Sequence, residues 1–153
     1  GAQLANLETV LRDSDFVTIN CPLTDETRHM IGARELGFMK STAYLINTAR
    51  GAVVDEAALI DALRRKKIAG AGLDVFETEP AAAGNPLFEL DNVIVAPHLI
   101  ARTGACIRNT SISACRNVLA VASGTPPPYV ANPEVLQQPR VQARLEGRRF
   151  QRK

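Results

Sequence analysis

What most constrains this chain is an alternation that runs through its first two thirds. Short apolar runs of strand length sit at 16–20, 43–47, 69–75 and 93–96, each bounded by turn residues. Between them lie stretches with helical spacing. Leu4, Leu7, Val10 and Leu11 recur on one helical face until Asp13-Ser14-Asp15 breaks the pattern, and Pro22 closes the first strand. A helix is expected over 33–39. Asp55 reads as the N-cap of another, with Ala58, Leu59, Ala62 and Leu63 on its inner face and Arg64 to Lys67 near its end, matching the helix dipole. A long helix is expected over 103–123, stopped by Gly124-Thr125-Pro126-Pro127-Pro128. Strands joined by helical crossovers pair in parallel, so the fold class is α/β.

Composition narrows the function classes. The 153 residues, 46 % of them hydrophobic with no Trp, suffice for one domain core packed from Ala, Leu, Val and Ile. No apolar run approaches the ~18 residues a membrane span needs, and no secretory signal is visible at the start. Cys21, Cys106 and Cys115 form no CxxC pair and are odd in number, which argues for a reducing, cytoplasmic setting rather than a disulfide framework. His29 and His98 are far apart and no Cys/His cluster has metal-ligand spacing, so no metal site is expected. The net charge is +2, but residues 140–153 alone carry +5, from Arg140, Arg144, Arg148, Arg149, Arg152 and Lys153 against Glu146. Lacking interleaved aromatics, this end reads as a solvated, partly helical or frayed tail rather than a nucleic-acid-binding element.

Three ionisable residues follow the carboxyl ends of successive expected strands: Arg50, Glu79 and His98. A parallel sheet delivers all three to one edge, where α/β folds bind ligands. A guanidinium offers a planar fork for a carboxylate, an imidazole exchanges protons near neutral pH, and a carboxylate beside it orients the ring and favours its charged form. That equipment suits interconversion of a 2-oxo and a 2-hydroxy acid. Each residue also has a plainer reading: Arg50 in a salt bridge, Glu79 as the turn residue before Pro80, His98 as a capping or part-buried imidazole. His29 reads as a surface residue.

Four strings of sequence bear on that choice. They are Cys21-Pro22-Leu23-Thr24 with Glu26-Thr27 and Ile31-Gly32; Asn47-Thr48-Ala49-Arg50-Gly51 with Val54-Asp55-Glu56; Gly70 to Phe76 closed by Glu79-Pro80; and Leu90 to Ile94 leading to Pro97-His98. In this order and spacing they resemble the D-isomer-specific 2-hydroxyacid dehydrogenases, collinearly over about 4–136. The resemblance implies a partial Rossmann-like, doubly wound parallel sheet with a long C-terminal helix. It implies residues 1–97 as the C-terminal half of an NAD(P)-binding domain, 98–131 as a segment returning toward a substrate domain, and 132–153 as the basic tail. By the same resemblance Arg50 would bind the substrate carboxylate and polarise its keto oxygen. His98 would be the general acid of reduction and base of oxidation, with Glu79 holding it and favouring its protonated form. Cys21, Thr48, Ala49, Asp74, Arg50 and His98 would line the cofactor, NAD or NADP. For Cys21 a small buried side chain is the alternative, and for Asp74 a turn cap. A small-molecule 2-hydroxy or 2-oxo acid is the implied partner and a homodimer the implied assembly, with no nucleic acid or membrane.

The chain departs from that pattern in two respects. No Gly-x-Gly-x-x-Gly is present, so the backbone cradle for a pyrophosphate at a helix N-terminus is missing, and with it the residue that tells NAD from NADP. The chain is therefore expected to be the C-terminal portion of a longer enzyme, with an unpaired sheet edge and an uncovered apolar face. A dinucleotide-responsive binding module resembling the family's corepressor relatives, or an inactive truncated remnant, are the other readings. Ile100 also stands where the family usually has a small residue, while Thr103 matches, and the resemblance stops near Pro139.

Overall fold

In a computed structural model, which describes residues 1–150, the chain divides into two compact units, Gly1–Ile100 and Ala101–Lys153. Arg152 and Lys153 of the basic tail lie outside the described residues.

The first unit is an α/β layer. Its elements run α1 (Leu7–Asp13), β1 (Phe16–Ile19), α2 (Ala33–Leu36), β2 (Tyr44–Asn47), α3 (Glu56–Arg64), β3 (Gly70–Leu73) and β4 (Val93–Val95). A 3-10 turn at Gly51–Val53 precedes α3, and another at Pro86–Glu89 precedes β4. The four strands lie side by side in sequence order, all parallel. The register aligns Ile19 with Asn47, Asn47 with Leu73 and Leu73 with Val95, so the carboxyl ends of all four strands share one edge.

Period-2 alternation decides what the sheet buries. Val17, Ile19, Leu45, Asn47, Ala71 and Leu73 turn to one face and are buried. Leu11 of α1, Leu36 of α2, and Leu59, Ala62 and Leu63 of α3 belong to the same core, the last three at the i, i+3, i+4 spacing of a helical stripe. The other face keeps Phe16 69 % and Ile94 79 % exposed, with Phe16 stacked on Tyr44 at 5.6 Å. β1 is an edge strand. The uncovered face and unpaired edge expected from the sequence are both present.

Caps account for most element boundaries. Asp55 accepts from the Ala58 N–H as expected, and Asn6 caps α1 through the Thr9 N–H, so that helix begins at Leu7 and leaves Leu4 fully exposed. The helix expected over 33–39 stops at Leu36. The Gly37 N–H closes onto the Ala33 carbonyl, and Phe38 and Met39 fold into tighter i→i+3 turns. β3 is shorter than the run at 69–75: its four residues pair with the four of β2, and its last three with β4.

The second unit holds α4 (Gly104–Ala122), capped by Thr103, a 3-10 turn at Pro133–Gln137 and α5 (Pro139–Phe150). The 19-residue α4 buries none of its side chains. Ile107, Ile112, Val118 and Leu119 are between 42 % and 67 % exposed. The basic end forms a helix up to Phe150.

Candidate active site

The loop after β2 is shaped by a side chain that fold-level reasoning passes over. Asn47 is 1 % exposed, and its amide spans the turn, accepting from the Ala49 N–H at 3.1 Å and donating to the Arg50 carbonyl at 3.0 Å. An Asn at a strand end mimicking a backbone turn is the signal that could have revealed it. The turn presents Thr48 and Arg50 to solvent. The Arg50 guanidinium donates to the Ala49 carbonyl at 2.6 Å and has no carboxylate partner among the described residues, so the salt-bridge reading does not apply.

Glu79 reaches the same edge from the loop after β3. Its Oε1 accepts from the Phe76 N–H at 3.0 Å and its Oε2 meets His98 Nδ1 at 2.7 Å. The His98 hydrogen bond, more than anything else, holds the Glu79 carboxyl below its ordinary value. Partial burial opposes this, while the Phe76 N–H and the positive charges of His98 and Arg50 add to it. Arg50 thus lies within electrostatic reach of the Glu79–His98 pair. Glu79 and His98 remain 37 % and 46 % exposed at their side chains, so the pair faces water.

His98 is held in an unusual backbone conformation. Its φ is +55°, in the left-handed region that costs an ordinary residue about 1–2 kcal/mol. Asp74, 4 % exposed and immediately after β3, holds the chain just beyond it. Its Oδ1 accepts from the Leu99 N–H at 2.9 Å, and both its oxygens lie 3.3 Å from the Ile100 N–H. The capping reading of Asp74 therefore describes its contacts, though the cap spans two strand ends rather than its own turn. Ile100 is 64 % exposed.

With Nδ1 committed to Glu79, the imidazole keeps Nε2 for exchange with a ligand. A cavity of about 580 Å³ adjoins the pair, lined by Phe76, Phe88, Pro80 and Val95 together with Glu79 and His98. Phe76 and Phe88 meet edge to face across 5.7 Å. The remaining residues expected near a cofactor sit at the same strand ends. Cys21, two residues past β1, is half-buried and packs on the core, close to its plainer reading, and Ala49 packs there too. The Thr48 hydroxyl is exposed and makes no hydrogen bond to any described residue. This set fits the nicotinamide end of a dinucleotide: a free hydroxyl, small side chains and an ionisable pair along one parallel edge. Nothing among the described residues supplies a glycine turn for the pyrophosphate. No group of three His, Cys, Asp or Glu side chains among the described residues could hold a metal ion, and no described helix is long and apolar enough to cross a membrane.

His29 is a surface residue, as expected, but not an idle one. Its Nε2 lies 2.8 Å from Glu77 Oε1.

Comparison with known proteins agrees with this fold. Residues 1–99 match the family model described as D-isomer specific 2-hydroxyacid dehydrogenase, NAD binding domain. Glyoxylate reductase of Aeropyrum pernix is 48 % identical over 137 residues, which are 90 % of this chain and 41 % of that protein. The crystal structure of D-lactate dehydrogenase with NAD+ from Lactobacillus jensenii superposes with a TM-score of 0.76 at 35 % identity, covering 83 % of this chain and 42 % of that one. A D-isomer specific 2-hydroxyacid dehydrogenase from Xanthobacter autotrophicus Py2, in complex with NADPH and MES, gives a TM-score of 0.67 at 43 % identity over 84 % of this chain and 52 % of that one. The chain spans about two fifths of the length of the curated relatives it matches.

Proposed function

The chain belongs to the D-isomer specific 2-hydroxyacid dehydrogenase family, and from that premise we propose that it carries the acid–base half of an NAD(P)-dependent oxidoreductase acting on a small 2-oxo or 2-hydroxy acid. The observation that carries this reading is the 2.7 Å contact between His98 Nδ1 and Glu79 Oε2 at the strand edge that also presents Arg50.

Each chain residue then has a stated task. The Arg50 fork binds the substrate carboxylate and leans on the keto oxygen as charge develops there. His98 Nε2 gives a proton to that oxygen in reduction and takes it back in oxidation. Glu79, kept ionised by its hydrogen bonds, fixes the ring and balances its charge. When bound, the nicotinamide supplies the hydride. Cys21, Thr48, Ala49, Asp74, Arg50 and His98 would hold its nicotinamide end, Asp74 doing so from its place beneath the His98 loop. The 48 % identity to a glyoxylate reductase favours a very small 2-oxo acid, with glyoxylate the first to assay.

The same reading places residues 1–97 in the NAD(P)-binding domain, 98–131 as the segment returning toward a substrate domain and 132–153 as a basic tail. The family match, which ends at residue 99, supports the first boundary. The free cysteines support a reducing, cytoplasmic compartment. The exposed apolar residues of α4 support a covered assembly such as a homodimer, which sedimentation would test.

The test is reduction of glyoxylate by NADH or NADPH with the full polypeptide, alongside the Arg50→Gln and His98→Asn variants. Turnover that falls at least 100-fold in both variants is expected. Cofactor binding without turnover would favour a dinucleotide-responsive module, and neither binding nor turnover an inactive remnant.

A further inference from the structure

Beyond the ionisable trio, one network joins three separate stretches of the first unit. Glu77, in the loop after β3, accepts from the Glu56 N–H through Oε2 at 3.2 Å and meets His29 Nε2 through Oε1 at 2.8 Å. Glu56, the first residue of α3, returns the exchange: its Oε2 accepts from the Glu77 N–H at 2.9 Å, and its Oε1 from the Asn85 amide at 2.7 Å. Each carboxylate thus caps the other residue's backbone. Both lie at the positive end of α3, which offsets their mutual repulsion.

His29 is itself pinned. Its N–H donates to the Ala52 carbonyl at 2.8 Å, and, two residues on, Ile31 donates its N–H to the Val53 carbonyl at 3.1 Å and accepts from the Asp55 N–H at 3.0 Å. The His29 φ of +52° shows how tightly the surroundings determine its place. The strand-like bridge between Ile31 and Val54 completes the seam.

This seam bears on the site because of where it clamps. The Phe76–Glu77 peptide lies so close against the Gly51 Cα that no side-chain atom fits between them. Gly51 directly follows Arg50, and Phe76 donates its N–H to Glu79. The loop carrying Arg50 and the loop carrying Glu79 are therefore in backbone contact at one point, and the Glu56–Glu77–His29 exchanges hold that contact closed.

We propose that Glu77 is a positioning residue. By bracing the Phe76–Glu77 peptide on Gly51, it fixes the distance between the Arg50 guanidinium and the Glu79–His98 pair. It touches neither substrate nor cofactor. The proposal rests on the function argued above, in which those groups must meet one substrate together. A guanidinium displaced by about 1 Å would bind the carboxylate of a 2-oxo acid while presenting its carbonyl poorly to His98.

The test compares Glu77→Ala and Glu77→Gln in the full polypeptide, reading glyoxylate kinetics, cofactor affinity, the thermal midpoint and the NMR signals of the His98 ring. Glutamine keeps an acceptor for the Glu56 N–H and a polar partner for His29. The expected result is a roughly 10- to 100-fold loss of kcat/KM in Glu77→Ala, measured well below its midpoint, with a much smaller loss of cofactor affinity and His98 signals displaced. Glu77→Gln should recover most of the rate and restore the His98 signals. A Glu77→Ala protein that melts earlier but keeps both its kcat/KM and its His98 signals would overturn the proposal, leaving Glu77 a structural brace only. The ring signals also separate the two claims. If the unaltered polypeptide turns over no 2-oxo acid, displacement of His98 by Glu77→Ala still supports the positioning role, and unmoved signals refute it.

Discussion

Gly51→Ala is the most revealing single change the structure offers. Gly51 does not use the left-handed region, so alanine meets no backbone strain there and the effect is one of space alone. A Cβ at this position would fall well inside contact distance of the Phe76 carbonyl carbon and oxygen and of the Glu77 nitrogen, all backbone atoms with no rotamer to yield. To regain ordinary contact the two loops must part by roughly 1.5 Å, given that carbon pairs pack at about 3.5–4 Å. Two consequences follow from that one displacement. Overpacking of this kind costs about 1–3 kcal/mol, read as a lowered midpoint in thermal or urea melts. Separating Arg50 from Glu79 and His98 by more than 1 Å should cost about 100-fold in kcat/KM for a 2-oxo acid, because the guanidinium and the imidazole no longer bracket one carbonyl. Cofactor affinity should change far less. A Gly51→Ala protein with wild-type midpoint and kcat/KM within twofold would refute the claim that the two loops are set by backbone contact at this point.

Three other outcomes are expected. In Glu79→Gln the loss of stability relative to wild type should depend on pH. A carboxylate whose folded value is depressed contributes stability that is complete above its unfolded value, about 4.3, and is lost as pH falls through the folded one, so melts should differ at pH 5–6 and converge only once the pH has fallen below the depressed folded value. His98→Asn should abolish turnover yet melt no earlier than Glu79→Gln, because asparagine tolerates the left-handed backbone that histidine is forced to adopt. Asp74→Ala removes a buried carboxylate that holds two backbone N–H groups and should destabilise by about 1–3 kcal/mol, with faster amide exchange at Leu99 and Ile100.

Sequence and structure agree where periodicity or local chemistry does the specifying. The four strands could be read because each apolar run has strand length between turn residues, and the Asp55 cap because it acts three residues away on Ala58. α2 ends at Leu36, short of the expected 33–39: Phe38 and Met39 continue the apolar pattern past Gly37, but tertiary packing, not helical propensity, buries Met39. Arg50, Glu79 and His98 follow strand ends that a parallel sheet brings to one edge, but position alone leaves each a plainer reading, and only the four motif strings single them out. Asn47 and Gly51 stand within one motif, where an Asn at a strand end hints at the turn former but nothing announces the spacer. Glu77 met neither criterion. Its partners lie 21 and 48 residues away, and no repeating pattern announces a contact that two loops make only after the sheet has formed.

The His98 backbone shows why the site depends on that sheet. A left-handed histidine is disfavoured in any isolated segment, so it persists only where surrounding bonds over-determine it. Those bonds come from β3, through Asp74 to Leu99 and Ile100, and from the β3 loop, through Glu79 to the ring. Both anchors depend on the β3–β4 pairing in register, Leu73 beside Val95. The Ala96 N–H, bonded to the Leu73 carbonyl at 2.8 Å, is the last rung before the chain turns. Shortening β4 by disrupting that rung would therefore release Asp74 and Glu79 together. An Ala96→Pro substitution, which deletes this donor, should cost more activity than Asp74→Ala or Glu79→Gln alone. Activity retained in Ala96→Pro at the level of either single variant would show that the imidazole is placed by its own loop and not by the sheet edge.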